Sequence, residues 1–270
     1  MNLIYQYWDG IVKPSAVAGS SNMKRYAKKI DSAYLFERNP KYFKNAPLPH
    51  YGAFKPVFDK SFDKYENILF VDTDVFAKHN LNENIFYNFK GDIGMCSEPL
   101  QPKIRNTRSD GNSNIKTEKI FSEIVEYYGG SQIKDNDGFN KVFNSGVVLY
   151  SKKGREKARK YFDKFNQYYN LARNKGLGGV YLTDQNYLQA MALMPHFDFQ
   201  ELDPEWNSCI TWAPKSRDYI IDSRTDKTKF VHIQMRGADN LSATQLEVIT
   251  NRPVEEWGND HQGRRFKTIT

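Results

Sequence analysis

The chain has 270 residues, 39% hydrophobic, 26% charged and 14% aromatic, enough apolar side chain for a packed core and unlike a disordered or fibrous polymer. Its net charge of +7 favours anionic partners such as nucleotide phosphates or acidic glycans; basic residues concentrate only locally, at 152–160 and 264–267, and no nucleic-acid-binding motif accompanies them. Two cysteines, Cys96 and Cys209, are too few for a disulfide framework and lack zinc-site spacing.

No run approaches the ~20 apolar residues of a membrane span, and residues 1–7 lack the basic region and apolar run of a signal peptide. A cytoplasmic protein is expected, with peripheral membrane contact left open. In chain order, residues 3–7 read as a strand, a loop with Gly10 and Pro14 follows, and Met23, Tyr26, Ala27 and Ile30 predict a helix over 22–30 capped by Ser20 or Ser21. A short strand at 33–36 and a helix over 51–62 lead to residues 67–71, Asn-Ile-Leu-Phe-Val. This continuous apolar run is expected of a strand covered on both faces of a parallel sheet.

Further strands are predicted at 91–96 and 145–151, with a helix over 118–128 between them closed by Gly129 and Gly130. Residues 102–116 are polar and aperiodic, as in a surface loop that either closes over a site or is an ordinary insertion. One long amphipathic helix is expected over 155–174, then a glycine-rich turn, a helix over 184–194, and strands near 197–202 and 229–233. The alternation predicts an α/β fold on an open sheet, without repeats or linkers.

The segment Asp72-Thr73-Asp74 follows the apolar strand directly. Residues i and i+2 of an extended segment project to one side, so two carboxylates there can converge on one hard cation. Open α/β sheets bind ligands outside the carboxyl ends of their strands, where this pair falls. A solvated turn is the plain alternative. An EF-hand is excluded, because Phe76 and Ala77 stand where a ligand and a glycine are required. A haloacid-dehalogenase phosphatase with Asp72 as nucleophile stays open, as does a non-catalytic nucleotide- or glycan-binding domain.

Taken in order, Ala53-Phe54-Lys55, Asp72-Thr73-Asp74, Phe143-Asn144-Ser145-Gly146, Thr183-Asp184-Gln185, Trp206-Asn207 and Phe230-Val231-His232 resemble the GT-A nucleotide-sugar transferases, and glycosyltransferase family 8 with its bacterial and viral relatives in particular. The resemblance implies a single GT-A domain over 1–270: a mixed, mostly parallel sheet between helices, with 1–150 mainly the donor and metal half and 151–270 mainly the acceptor half. It implies a hexosyltransferase that moves a sugar from a nucleotide diphosphate, UDP-linked, to a glycan or other hydroxyl with retention. Asp72, Asp74 and His232 would ligate manganese or magnesium; a lone histidine is otherwise a structural residue.

The same resemblance puts Asn144, Asp184 and Gln185 at the donor sugar, with Gln185 beneath the reacting carbon. Ser145, Thr73, Tyr7 and Asp9 would line the donor, Lys55 and Arg236 would meet its phosphates, and Trp206 and Asn207 would border the acceptor. Each has a structural alternative: a turn for Asn144 and Ser145, helix capping for Thr183 and Asp184, core packing for Tyr5, Tyr7 and Trp206, an exposed lysine for Lys55. The chain departs from the family around Arg236, reading His-Ile-Gln-Met-Arg-Gly where a glycine, lysine and tryptophan pattern is usual. No carboxylate is clearly placed to activate an acceptor, although Asp203, Glu205 and Asp239 are available for that role.

Overall fold

In the computed structural model, residues 1–40, 48–107, 113–212, 219–235, 237–259, 263 and 265–267 are described. The chain opens with β1 (Leu3–Trp8), α1 (Pro14–Lys29) and β2 (Ala33–Arg38). Two 3-10 turns, Pro49–Phe54 and Lys60–Lys64, flank α2 (Lys55–Phe58) before β3 (Asn67–Val71), β4 (Val75–Ala77) and β5 (Ile93–Ser97). Then come α3 (Gln101–Thr107), α4 (Ile115–Tyr127), β6 (Phe143–Ser151), α5 (Lys152–Tyr161), α6 (Phe165–Asn174) and α7 (Asp184–Ala192). The last elements are β7 (Phe199–Leu202), β8 (Ser208–Trp212), β9 (Ile220–Asp222), β10 (Phe230–Gln234) and α8 (Ala243–Asn251).

The larger sheet has the order β2-β1-β3-β6-β5-β7, and all its strands run parallel except β6, which opposes both β3 and β5. A second sheet, β4-β10-β8-β9, pairs β4 against β10 and β10 alongside β8. Alternate residues of the large sheet enter two different cores. Leu3, Tyr5, Ile68, Phe70 and Tyr150 pack with helical residues such as Phe121, Tyr168 and Tyr187, whereas Ile4, Leu69, Val71 and Leu149 pack with Met23 and Tyr26 of α1 and with Trp206 and Phe230. Each such fully buried side chain stabilises the fold by about 1.5–3 kcal/mol relative to exposure. A third core joins Phe76, Ile210, Val231 and Ile233 of the second sheet to Leu246 and Ile249 of α8.

Several elements differ from expectation for identifiable reasons. Helix α1 starts at Pro14, a residue preorganised for the first helical position, and Ser20 and Ser21 lie inside it. Its buried face begins with Ser15, Ala16 and Gly19, small residues that carry no apolar periodicity. The long helix over 155–174 is two, because Phe162, at φ −65° and ψ 130°, is extended. The break is held from outside: Tyr187 donates to the Asp163 carbonyl at 2.6 Å and Tyr128 to the Asp163 carboxylate at 2.9 Å. The helix over 51–62 is only α2 between two 3-10 turns. Part of the predicted 102–116 loop is α3, anchored by buried Arg105, which pairs with Glu118 of α4 at 3.3 Å; 108–112 lie outside the described residues. Strands β4, β8 and β9 and helix α8 add to the predicted set. Among the described residues, no helix is long and apolar enough to cross a membrane.

Candidate active site

The chain leaves the large sheet at Val71 and enters the small one at Val75, so Asp72, Thr73 and Asp74 bridge the two. Their backbone is pinned at each step. Asp72 N–H donates to the Gly146 carbonyl at 2.9 Å, Gln6 Nε2 donates to the Asp72 carbonyl at 3.0 Å, and Ile233 N–H donates to the Asp74 carbonyl at 2.9 Å. Helix α1 presses on Thr73 so closely that a Cβ on Gly19 would lie 1.9 Å from the Thr73 carbonyl oxygen; only glycine fits there.

The antiparallel register of β4 and β10 sets His232 opposite Val75 and so beside Asp74. His232 Nε2 is 3.2 Å from Asp74 Oδ1, and ligand atoms of Asp72, Asp74 and His232 all lie within 4.8 Å of one another. His232 occupies the middle of its strand, not the end that sequence periodicity suggests. Burial, and then the charge of Asp74, push the Asp72 carboxyl well above the usual range, with His232 pulling the other way. Burial also disfavours an imidazolium at His232, but the charge and hydrogen bond of Asp74 outweigh it and raise that group. Two crowded carboxylates with one imidazole have the donor atoms to hold a divalent cation.

A third acid joins from α7. Asp184, at the first position of α7, is buried; burial raises its carboxyl, and the nearby His50, followed by Ser145 and the N–H groups of the helix start, opposes that. Asp184 thus stands in the first turn of its helix and lies close enough to Asp72 for its charge to raise that carboxyl further. Thr183 does not cap; its hydroxyl donates to the Val180 carbonyl at 2.7 Å. Gln185 is half-buried on the next position. Tyr7 donates to the carbonyls of Pro49 and His50 at 3.1 and 3.0 Å, and its hydroxyl is raised by burial and then by Asp184, Asp72 and Asp9.

Other residues are placed differently from a simple donor pocket. Lys55 is ion-paired with Glu37, which also accepts from Tyr5 at 3.0 Å, and Asp9 is exposed just beyond β1. Asn144 is 1% exposed and its amide is committed within the protein: Nδ2 donates to Glu98 Oε1 at 2.9 Å, and Oδ1 accepts from Gly146 N–H at 2.7 Å and from Asn207 Nδ2 at 2.8 Å. Asn207 Oδ1 in turn lies 3.0 Å from His232 Nδ1. Trp206 is core, its ring centroid 5.1 Å from that of Phe230. Arg236 lies outside the described residues. Sequence reasoning missed Glu98 and His50, which carry no local signal; their relevance comes only from long-range packing.

A mostly parallel sheet whose strand β3 ends in an aspartate pair, met there by a histidine from a second small sheet, is the layout of a GT-A glycosyltransferase. Solved structures with this fold include the galactosyltransferase LgtC, in complex with donor and acceptor sugar analogues, at 14% identity over 95% of this chain and 99% of that one, TM-score 0.50. Mouse xyloside xylosyltransferase 1 matches at 15% identity over 86% of this chain and 97% of that one, TM-score 0.52. At these identities the likeness is one of fold. The model of glycosyl transferase family 8 matches residues 13–234, and the chain belongs to that family. It is therefore a glycosyltransferase, of a family that implies a nucleotide-sugar donor and a glycan acceptor. No curated protein matches it in sequence. Neither the fold nor the family lends support to the phosphatase or to a non-catalytic binding domain.

Proposed function

We propose that the protein transfers a sugar from a UDP-linked donor to a hydroxyl of a glycan or similar acceptor, with retention, in the presence of manganese or magnesium. The observation that carries this reading is the convergence of Asp72, Asp74 and His232 within 4.8 Å at the carboxyl end of β3. A divalent cation held by these three side chains would neutralise charge developing on the departing diphosphate. Residues 1–150 supply most of the donor side and 151–270 most of the acceptor side of one domain.

Asp184 orients the donor sugar beside Asp72, and Gln185 extends from the same helix start toward the reacting carbon. Asn144 supports that wall. Tyr7 and Asp9 border the nucleoside, Thr73 presents backbone to the donor, and Lys55 and Arg236 serve its phosphates, Lys55 by exchanging Glu37 for the ligand. Retention follows the family resemblance, and each of the three carboxylates available as an acceptor-activating base has a partner within the protein. Asp203 accepts from Glu205 N–H at 3.1 Å, Glu205 is 3.9 Å from Lys229, and Asp239 accepts from the Ser15 hydroxyl at 3.4 Å.

The test is a thermal-shift panel of UDP-, GDP- and other nucleotide sugars with and without manganese, since a ligand bound only by the folded state raises its melting temperature. A metal-dependent rise with UDP-sugars, lost in Asp74→Ala, is expected. A rise that ignores both metal and the substitution would overturn the reading.

A further inference from the structure

We propose that Glu98, Asn144 and Asn207 form a directional hydrogen-bond relay that fixes the ring and tautomer of His232 and turns Nε2 toward the cation, making them positioning residues for metal capture. The inference rests on reading His232 as a metal ligand. It assigns a task to a buried acid, Glu98, that substrate contact does not explain.

The direction of the relay follows from chemistry alone. A backbone N–H only donates, so the Asn144 atom that meets Gly146 N–H at 2.7 Å is its carbonyl oxygen. The other end of that amide is then the NH2, and it faces Glu98 Oε1 at 2.9 Å, a carboxylate acceptor. The two neighbours agree on one orientation. Because Asn144 Oδ1 is an acceptor, the Asn207 atom 2.8 Å away is its NH2, which leaves Asn207 Oδ1 facing His232 Nδ1 at 3.0 Å. An oxygen there requires a proton on Nδ1. Nε2 is the ring atom that faces the cation site, 3.2 Å from Asp74 Oδ1, and with the proton held on Nδ1 it is the nitrogen whose lone pair a bound cation would take.

The relay is buried: Glu98, Asn144, Asn207 and His232 are 8%, 1%, 3% and 2% exposed. Its members come from the end of β5, from β6, from the turn before β8 and from β10, so both sheets contribute. Gly146 closes the remaining side, since a Cβ there would sit 2.4 Å from His232 Cε1 and the ring has no room to swing toward β6. Outer partners of this kind typically set metal affinity by roughly 10- to 100-fold.

The experiment has two arms. In the first, Mn2+ alone is titrated into wild type, His232→Ala, Asn207→Leu, Glu98→Leu and Glu98→Gln, with a melting curve for each. Asn207→Leu and Glu98→Leu should lose roughly 10- to 100-fold in Mn2+ affinity, while Glu98→Gln, whose amide oxygen can still accept from Asn144, should stay near wild type. Wild-type affinity in both leucine variants, with His232→Ala weakened, overturns the relay and leaves the ligand assignment standing. Equal binding by His232→Ala and wild type instead overturns the ligand assignment beneath it. In the second arm, nitrogen chemical shifts of 15N-histidine-labelled wild type with diamagnetic Mg2+ should report Nδ1–H for His232. Nε2–H there overturns the relay even if a leucine variant fails to fold.

Discussion

Replacing Gly146 by alanine separates two opposing effects. Gly146 lies within β6 and is not among the glycines with positive φ, so backbone preference alone predicts a gain, since alanine in a strand interior is better by about 0.5–1 kcal/mol. The new methyl would lie 2.4 Å from His232 Cε1, 2.8 Å from Nδ1 and 2.9 Å from Asn144 Oδ1. Carbon atoms rest about 3.5–4.0 Å apart, so the imidazole must retreat by about 1 Å. Forced displacement in a packed interior costs about 1–3 kcal/mol, which exceeds the preference term. A ligand moved by 1 Å is also beyond the ~0.5 Å tolerance of a preorganised site. Gly146→Ala should therefore unfold at lower urea and bind Mn2+ roughly tenfold or more weakly. Equal or higher stability together with unchanged Mn2+ affinity would refute the steric reasoning.

Two further outcomes concern stability away from the metal. Arg155 is fully buried, its guanidinium donating to the carbonyls of Tyr150, Phe62 and Tyr65 at 3.2, 3.4 and 2.5 Å, and burial lowers its pKa to about 10. Arg155→Met strands those acceptors and should cost about 3 kcal/mol in urea unfolding; a loss under about 1 kcal/mol contradicts the account. Asp92 is buried, and although burial opposes its charge, the Asp198 N–H at 2.9 Å and Lys157 hold its carboxyl below the usual range. A depressed folded value contributes stability that is fully present above the unfolded carboxylate value of about 4 and is lost as pH falls through the folded one. The difference between wild type and Asp92→Asn, about 1–2 kcal/mol, should be flat between pH 5 and 8 and shrink below about pH 4, as denaturation at stepped pH would show.

What could be read from the residues was whatever rests on continuous local pattern. Strand β3 matches its predicted bounds because both faces of Asn67–Val71 are covered, and the aspartate pair follows at once. The second sheet was largely hidden, since β4 and β9 have three residues each, too few for periodicity to register. The first turns of helix α1 escaped the pattern because their buried residues, Ser15, Ala16 and Gly19, are small, and at Gly19 the contact with Thr73 admits nothing larger. The break at Asp163 is imposed by Tyr128 and Tyr187, whose distance along the chain leaves no local trace. Within the site, the Asp72, Asp74 and His232 cluster was legible through motif order, whereas Glu98 is informative only once Asn144 and Asn207 are seen to connect it to His232.

The one reversed strand of the large sheet has a geometric consequence. Parallel strands all finish at the same rim, so only what comes after a strand can line it. By running the other way, β6 brings its opening residues, Asn144 to Gly146, to the rim where β3 stops, and the Gly146 carbonyl receives the Asp72 N–H there. That rim thereby gains residues still held within a strand, where Asn144 pairs with Cys96 of β5 and the Gly146 carbonyl ties β6 to the residue after β3, so its backbone is fixed by the sheet itself.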